Sequence, residues 1–151
     1  MRPGSKRPSG CQRFRLEIDP GKKGLGMMQG RRSRQALGRL GEDLATDFLR
    51  REGYELVTRN WRHRSGEIDI VARDGDCWAF VEVKTRRGHR VQNPEDGLTD
   101  QKARKLQQLA LTYLAEHGLA NVSWRIDLVA IELDGQDRPV RMNLVPCAVV
   151  L

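Results

Sequence analysis

Two short apolar segments, Glu67–Arg73 and Cys77–Lys84, are separated only by Asp74-Gly75-Asp76. A tight-turn signal between two strand-like runs commits them to an antiparallel hairpin, and the rest of the chain must be built around it. Period-two alternation then assigns faces. In the first strand Ile68, Ile70 and Ala72 point one way and Glu67, Asp69 and Val71 the other. In the second, Trp78, Phe80, Glu82 and Lys84 share one face, with Ala79, Val81 and Val83 opposite. Three charged groups, Asp69, Glu82 and Lys84, thus interrupt otherwise apolar strands. Folding at the turn brings Asp69 near Val81 and Glu82, so two carboxylates converge at one end of the ribbon.

The flanking segments suggest how the hairpin is covered. Leu37, Leu40, Leu44, Phe48 and Leu49 recur at helical spacing, with Ser33 placed to cap the helix and Gly53 to end it. A strand is expected over Tyr54–Arg62. After a polar loop with Gly88, Pro94 and Gly97, a second helix is expected over Thr99–His117, its stripe being Leu106, Leu109, Ala110, Tyr113 and Leu114, with Gly118 closing it. A strand over Val122–Leu133, a turn at Asp134-Gly135 and an extended segment over Val140–Val150 complete the order: helix, three strands, helix, strand, strand. The run from strand through helix to strand implies a crossover. The expected class is therefore α/β, a mixed sheet with helices packed on it.

Charge divides the chain unevenly. Its 151 residues carry 27 Lys and Arg against 20 Asp and Glu, a net +7. Residues 1–34 hold ten basic and two acidic side chains, net +8, which leaves the remainder at −1. The basic stretch is rich in Gly, Pro and Ser and poor in apolar residues, so it reads as a disordered arm, and residues 35–151 as one domain. The arm is either a nonspecific phosphate-binding tail or an extension the domain does without. No stretch approaches the roughly 20 apolar residues that cross a bilayer, and no apolar run of about 7–15 residues follows the basic start as in a secretory signal. A cytoplasmic protein with no membrane partner is expected. Cys11, Cys77 and Cys147 are scattered and free of C-x-x-C pairing, which supports neither a disulfide framework nor a zinc site.

Two carboxylates held close repel, and a charge on a half-buried strand needs a partner. A divalent cation answers both demands, because Mg²⁺ (or Mn²⁺) takes oxygen ligands from one or two carboxylates and keeps room for water and phosphate oxygens. Lys84, on the face of Glu82, could orient a water and offset charge on a pentacovalent phosphate. The competing reading is a structural salt bridge between Lys84 and one carboxylate on a solvated sheet face.

Asp69, a twelve-residue gap, then Glu82-Val83-Lys84, all after a helix and an edge strand, resembles the core of the PD-(D/E)XK nuclease superfamily. More narrowly, Gly41-Glu42, Gly66-Glu67-Ile68-Asp69-Ile70-Val71-Ala72 and Phe80-Val81-Glu82-Val83-Lys84-Thr85-Arg86 are similar to the small YraN-like family of uncharacterised bacterial proteins. The likeness spans about Gln35 to Leu133; Ile68 stands where the superfamily's name has proline. It implies a restriction-endonuclease-like fold close to archaeal Holliday-junction resolvases. It also implies Asp69 and Glu82 as metal ligands, the Val83 carbonyl completing the site, and Lys84 as the catalytic lysine. A first-helix glutamate, here Glu42, contributes to the metal site in related nucleases; the alternative is an ordinary solvated side chain.

Between Lys84 and Lys105 seven basic residues face three acidic ones, the one basic stretch of the neutral domain. Arg86, Arg87, Gln101 and Lys102 are its candidates for phosphate contact, the last two helped by the N–H groups of a helix start. The expected function is Mg²⁺- or Mn²⁺-dependent hydrolysis of phosphodiester bonds in DNA, branched or structured DNA included. The alternative is a non-catalytic nucleic-acid-binding module, and a third reading is a scaffold with a structural acidic hairpin. Symmetric cutting of a junction would suit a two-fold homodimer. His63, His89 and His117 lack ligand spacing, Trp61, Trp78 and Trp124 suit core packing, and Asp127 is a buried acid of unassigned role.

Overall fold

A computed structural model describes residues 14–17, 32–88 and 98–149. Helix α1 (Arg34–Arg51) begins where the Ser33 side chain accepts the Ala36 N–H at 3.2 Å, and it runs down to Gly53, whose φ of 88° lets the chain turn away. Strands β2 (Glu55–His63), β3 (Gly66–Asp74) and β4 (Cys77–Arg87) form an antiparallel meander. Gly75, with φ of 61°, makes the expected turn between Asp74 and Cys77, which pair across it. Helix α2 (Asp100–Glu116) starts at Thr99, whose hydroxyl accepts the Lys102 N–H, and carries the chain to β5 (Trp124–Leu133), parallel to β4. The crossover read from the sequence is therefore present. Strand β6 (Pro139–Val145) returns antiparallel to β5.

One element was not expected. Phe14–Glu17, inside the segment read as lacking secondary structure, forms strand β1 and pairs antiparallel with β6. Alternation of Phe14 and Leu16 with Arg15 and Glu17 is a period-two signal that the basic, Gly- and Pro-rich surroundings obscured. Residues 1–13 and 18–31 lie outside the described residues. The sheet order is β1-β6-β5-β4-β3-β2, mixed, with a helix on each face: a restriction-endonuclease-like fold.

Each face has its own core. Ala45, Phe48 and Leu49 of α1 pack on Ile70, Ala72, Ala79, Val81, Val129 and Ile131. Leu106, Leu109, Ala110 and Tyr113 of α2 pack on Ile68, Val71, Phe80 and Ile126. Trp61, Trp78 and Trp124 border this second core, with Tyr113 edge-on to Trp61 and Phe80, in the packing role expected of them. At Gly41 α1 approaches β4 so closely that a Cβ would lie 1.7 Å from the Thr85 hydroxyl. Among the described residues no helix is long and apolar enough to cross a membrane.

The buried acid Asp127 is fully enclosed. It accepts from Arg125 Nε at 2.9 Å, the Tyr54 hydroxyl at 3.1 Å and the Cys147 N–H at 3.0 Å, and Arg125 reaches on to Asp74 at 2.8 Å. Among the described residues its partners are internal, so it ties β5 to Tyr54 just before β2 and to Cys147 just after β6.

Candidate functional site

The site is made by a fork in the sheet. The β3–β4 ladder runs from Asp74↔Cys77 to Ile70↔Val81 and ends there, while β4 stays paired with β5 as far as Arg87↔Leu133. Past the end of the ladder the Val83 N–H donates to the Asp69 carboxylate, Oδ2 at 2.8 Å. A side chain thus takes the place of a strand bond, which satisfies a backbone donor that would otherwise lack a partner.

Strict alternation fails at this point. Ile70 and Ala72 belong to the α1-side core as a pair, but Ile68 packs with α2, so the faces exchange across Asp69. The neighbouring strand exchanges too: Arg59 reaches Asp43 of α1 at 2.7 Å, whereas Trp61 packs on the α2 side. The register Arg59↔Ile70 and Trp61↔Ile68 leaves Asn60 opposite Asp69, and Asn60 has a left-handed φ of 53°. Asparagine tolerates that conformation better than most residues. The shared grouping of Ile68 with Ile70 and Ala72 is therefore corrected, and Asp69 sits where both strands reverse.

Glu82 lies on the α2 side, 8% exposed. Its Oε1 is 3.1 Å from the Lys102 ammonium in the first turn of α2, and its Oε2 is buried with no hydrogen-bond partner. Asp69 lies within the field of Glu82. Burial, then the Glu82 charge, push the Asp69 carboxyl up to about 7; Glu42 adds to the rise, while the Val83 N–H and Lys102 oppose it. Lys84 is partly buried beside them. Its ammonium is held below the ordinary lysine range by burial and by Arg86 and Lys102, against the pull of Glu82.

Glu42 faces the same region, with Oε2 3.9 Å from Arg59, so its carboxylate is shared between that cation and the field at Asp69. Among the described residues no three His, Cys, Asp or Glu side chains gather as a metal-holding group. Two carboxylates, one with an orphaned buried oxygen, are an all-oxygen donor set that suits a hard divalent ion. Asp69 and Glu82 could hold one.

The basic candidates separate. Arg86 is exposed on the Lys84 side of β4, and Gln101 is exposed at the start of α2. Lys102 stands at Glu82. Lys105, counted in the basic stretch but not singled out, lies over Gly66. Arg87 is not brought to this group: it is paired to Asp137 of the β5–β6 turn, Nη2–Oδ2 2.8 Å, and donates to the Arg32 carbonyl at 3.1 Å. That role could not be read from a count of charges. Arg90 and His89 lie outside the described residues. Among residues missed by sequence reasoning, Asn60 and Thr85 shape the fork and its approach to α1, and only the short Gly41 hinted at the latter.

Residues 41–131, about three fifths of the chain and every one of the acidic and basic groups at the fork, match the uncharacterised protein family UPF0102. The chain belongs to this family. A UPF0102 protein of Roseiflexus castenholzii is 48% identical over 124 residues, 81% of this chain and 98% of the relative. One from Renibacterium salmoninarum is 44% identical over 108 residues, covering 72% and 92%, and one from Geobacter sulfurreducens 42% identical over 111, covering 74% and 87%. UPF0102 membership and the fold together accord with the PD-(D/E)XK nuclease-like assignment that the hairpin motif implied. β1 and β6 fall outside the matched span.

Proposed function

We propose that this nuclease-like protein binds nucleic acid, DNA first, at the forked end of β4. The observation that carries the reading is the grouping of Lys84, Arg86 and Lys102 around two converging carboxylates. Cations so placed meet a phosphate backbone on one side and offset the acidic pair on the other. Binding of this kind weakens as salt rises, because counterions are released. Gel shifts of linear, flapped, forked and four-way DNA at increasing salt test it. Retention at low salt with loss at high salt is expected; no retention of any substrate at low salt refutes it.

A second reading, hydrolysis, is favoured by the orphaned Glu82 Oε2. Asp69 and Glu82 would hold Mg²⁺ or Mn²⁺, which supplies Lewis-acid stabilisation of charge on the phosphate. The carbonyl of Val83 and the carboxylate of Glu42 are further candidate ligands. Lys84, whose ammonium is held low, would position the attacking water and donate hydrogen bonds to the developing oxyanion. Cleavage with Mn²⁺ that disappears in Lys84→Ala and Asp69→Ala, with DNA still retained by Asp69→Ala, is the expected result. Equal cleavage by wild type and variants would assign it to a contaminant and leave the binding module.

A further inference from the structure

The acidic pair already holds a cation, supplied by the protein. Lys102 Nζ sits 3.1 Å from Glu82 Oε1. The two partners differ sharply in freedom. The Glu82 side chain is 10% exposed and fixed on the central strand β4, whereas Lys102 is 37% exposed and hangs by a flexible stem from the first turn of α2. Its ammonium can leave for solvent while the carboxylate cannot. A lysine carries three rotatable donors on a mobile stem, so a phosphate oxygen serves it as well as a carboxylate oxygen does. The other carboxylate oxygen, Oε2, remains buried and unpartnered, so the pair is left half-satisfied by the lysine alone.

We propose that Lys102 is a tethered counter-cation that competes with a divalent metal ion for the Asp69–Glu82 pair, and that a nucleic-acid phosphate drawn to Lys102 releases the pair. Metal and nucleic acid then bind with positive coupling. The proposal rests on the reading of this end of β4 as a nucleic-acid and metal site. Its logic is one of linkage: the phosphate removes the metal's competitor, so by reciprocity the metal raises affinity for the nucleic acid by the same factor. Without nucleic acid the lysine occupies Glu82, and the metal must displace it.

The test is calorimetric titration of Mn²⁺ into the full chain, with and without a short DNA duplex, for wild type, Lys102→Met, Lys102→Arg and Glu82→Gln. Lys102→Met should bind Mn²⁺ roughly tenfold more tightly than wild type in the absence of DNA, within the range of ordinary coupling energies. DNA should tighten Mn²⁺ binding by wild type several-fold and leave Lys102→Met nearly unchanged, and Lys102→Arg, whose fork can reach both Glu82 oxygens, should bind Mn²⁺ no more tightly than wild type. A merely structural ion pair would leave the Mn²⁺ affinity of Lys102→Met equal to or below that of wild type, and that result overturns the proposal. Equal tightening by DNA in both proteins, or failure of the duplex to bind at low salt, overturns the coupling. If Glu82→Gln abolishes Mn²⁺ binding while Lys102→Met binds as wild type does, the competition alone is refuted. If Glu82→Gln binds Mn²⁺ unchanged, or no protein binds it, the metal reading of the site falls and the competition with it.

Discussion

Asp69→Asn removes the cost of holding a buried negative charge beside Glu82. The Asp69 carboxyl is raised from 3.8 to about 7 by burial first and by Glu82 second. Between about pH 4 and pH 7 the folded protein therefore binds a proton that the unfolded chain has released. The stability of the wild type must fall as pH rises through that window and level off above it. At about 1.36 kcal/mol per unit, a rise of about three units corresponds to on the order of 4 kcal/mol at most, part of which solvent screening removes. Asparagine keeps an oxygen that can accept the Val83 N–H and carries no charge, so its stability should not follow this titration. Urea unfolding with EDTA should find the two proteins nearly equal near pH 4, and the Asn variant more stable by about 2–4 kcal/mol near pH 8. Saturating Mn²⁺ should then stabilise the wild type and not the variant. A variant no more stable than wild type near pH 8 without divalent ions would refute the account of Asp69 as a strained charge.

Three further outcomes follow from the packing. Gly41→Ala drives a methyl into the Thr85 hydroxyl and should cost about 1–3 kcal/mol in urea unfolding, with partial recovery in the double variant Gly41→Ala/Thr85→Ala; equal loss in both would place the strain elsewhere. Asp127→Ala leaves Arg125 without its closest buried carboxylate and should cost about 3–5 kcal/mol, a near-wild-type midpoint being the refuting result. At Asn60, glycine should be accepted within about 1 kcal/mol, whereas valine, which resists a left-handed backbone, should cost about 1–2 kcal/mol. Equal stability of the two variants would show that the reversal at Asn60 does not need that conformation.

The hairpin and both helices were legible because their signals are local: a glycine turn between apolar runs, a capping serine, and stripes at helical spacing. Asp69, Glu82 and Lys84 stood out for the same reason, as charges where apolar residues were due. The fork was not legible. Alternation assumes an unbroken ladder, and the exchange of faces at Asn60 and Asp69 depends on how β2 and β3 adjust to each other, which neither strand records alone. Arg87 was counted with the basic stretch because a one-dimensional charge tally cannot foresee an aspartate fifty residues on, at the β5–β6 turn. β1 escaped because four alternating residues carry little weight inside a polar, glycine-rich stretch.

The parallel pairing of β4 with β5 sets an order of assembly. β2, β3 and β4 can find one another through short turns, while β5 can join β4 only after the long connection through α2 has closed. Local pairings form quickly and distant ones slowly. Asp69 and Glu82 are therefore expected to meet in the locally connected meander before Lys102 arrives on α2 to pair with Glu82. During that interval the two like charges at the open end of the sheet are offset only by Lys84 of the same strand. Refolding should accordingly be faster in moderate salt, or at a pH where one of the pair is protonated, than in dilute neutral buffer.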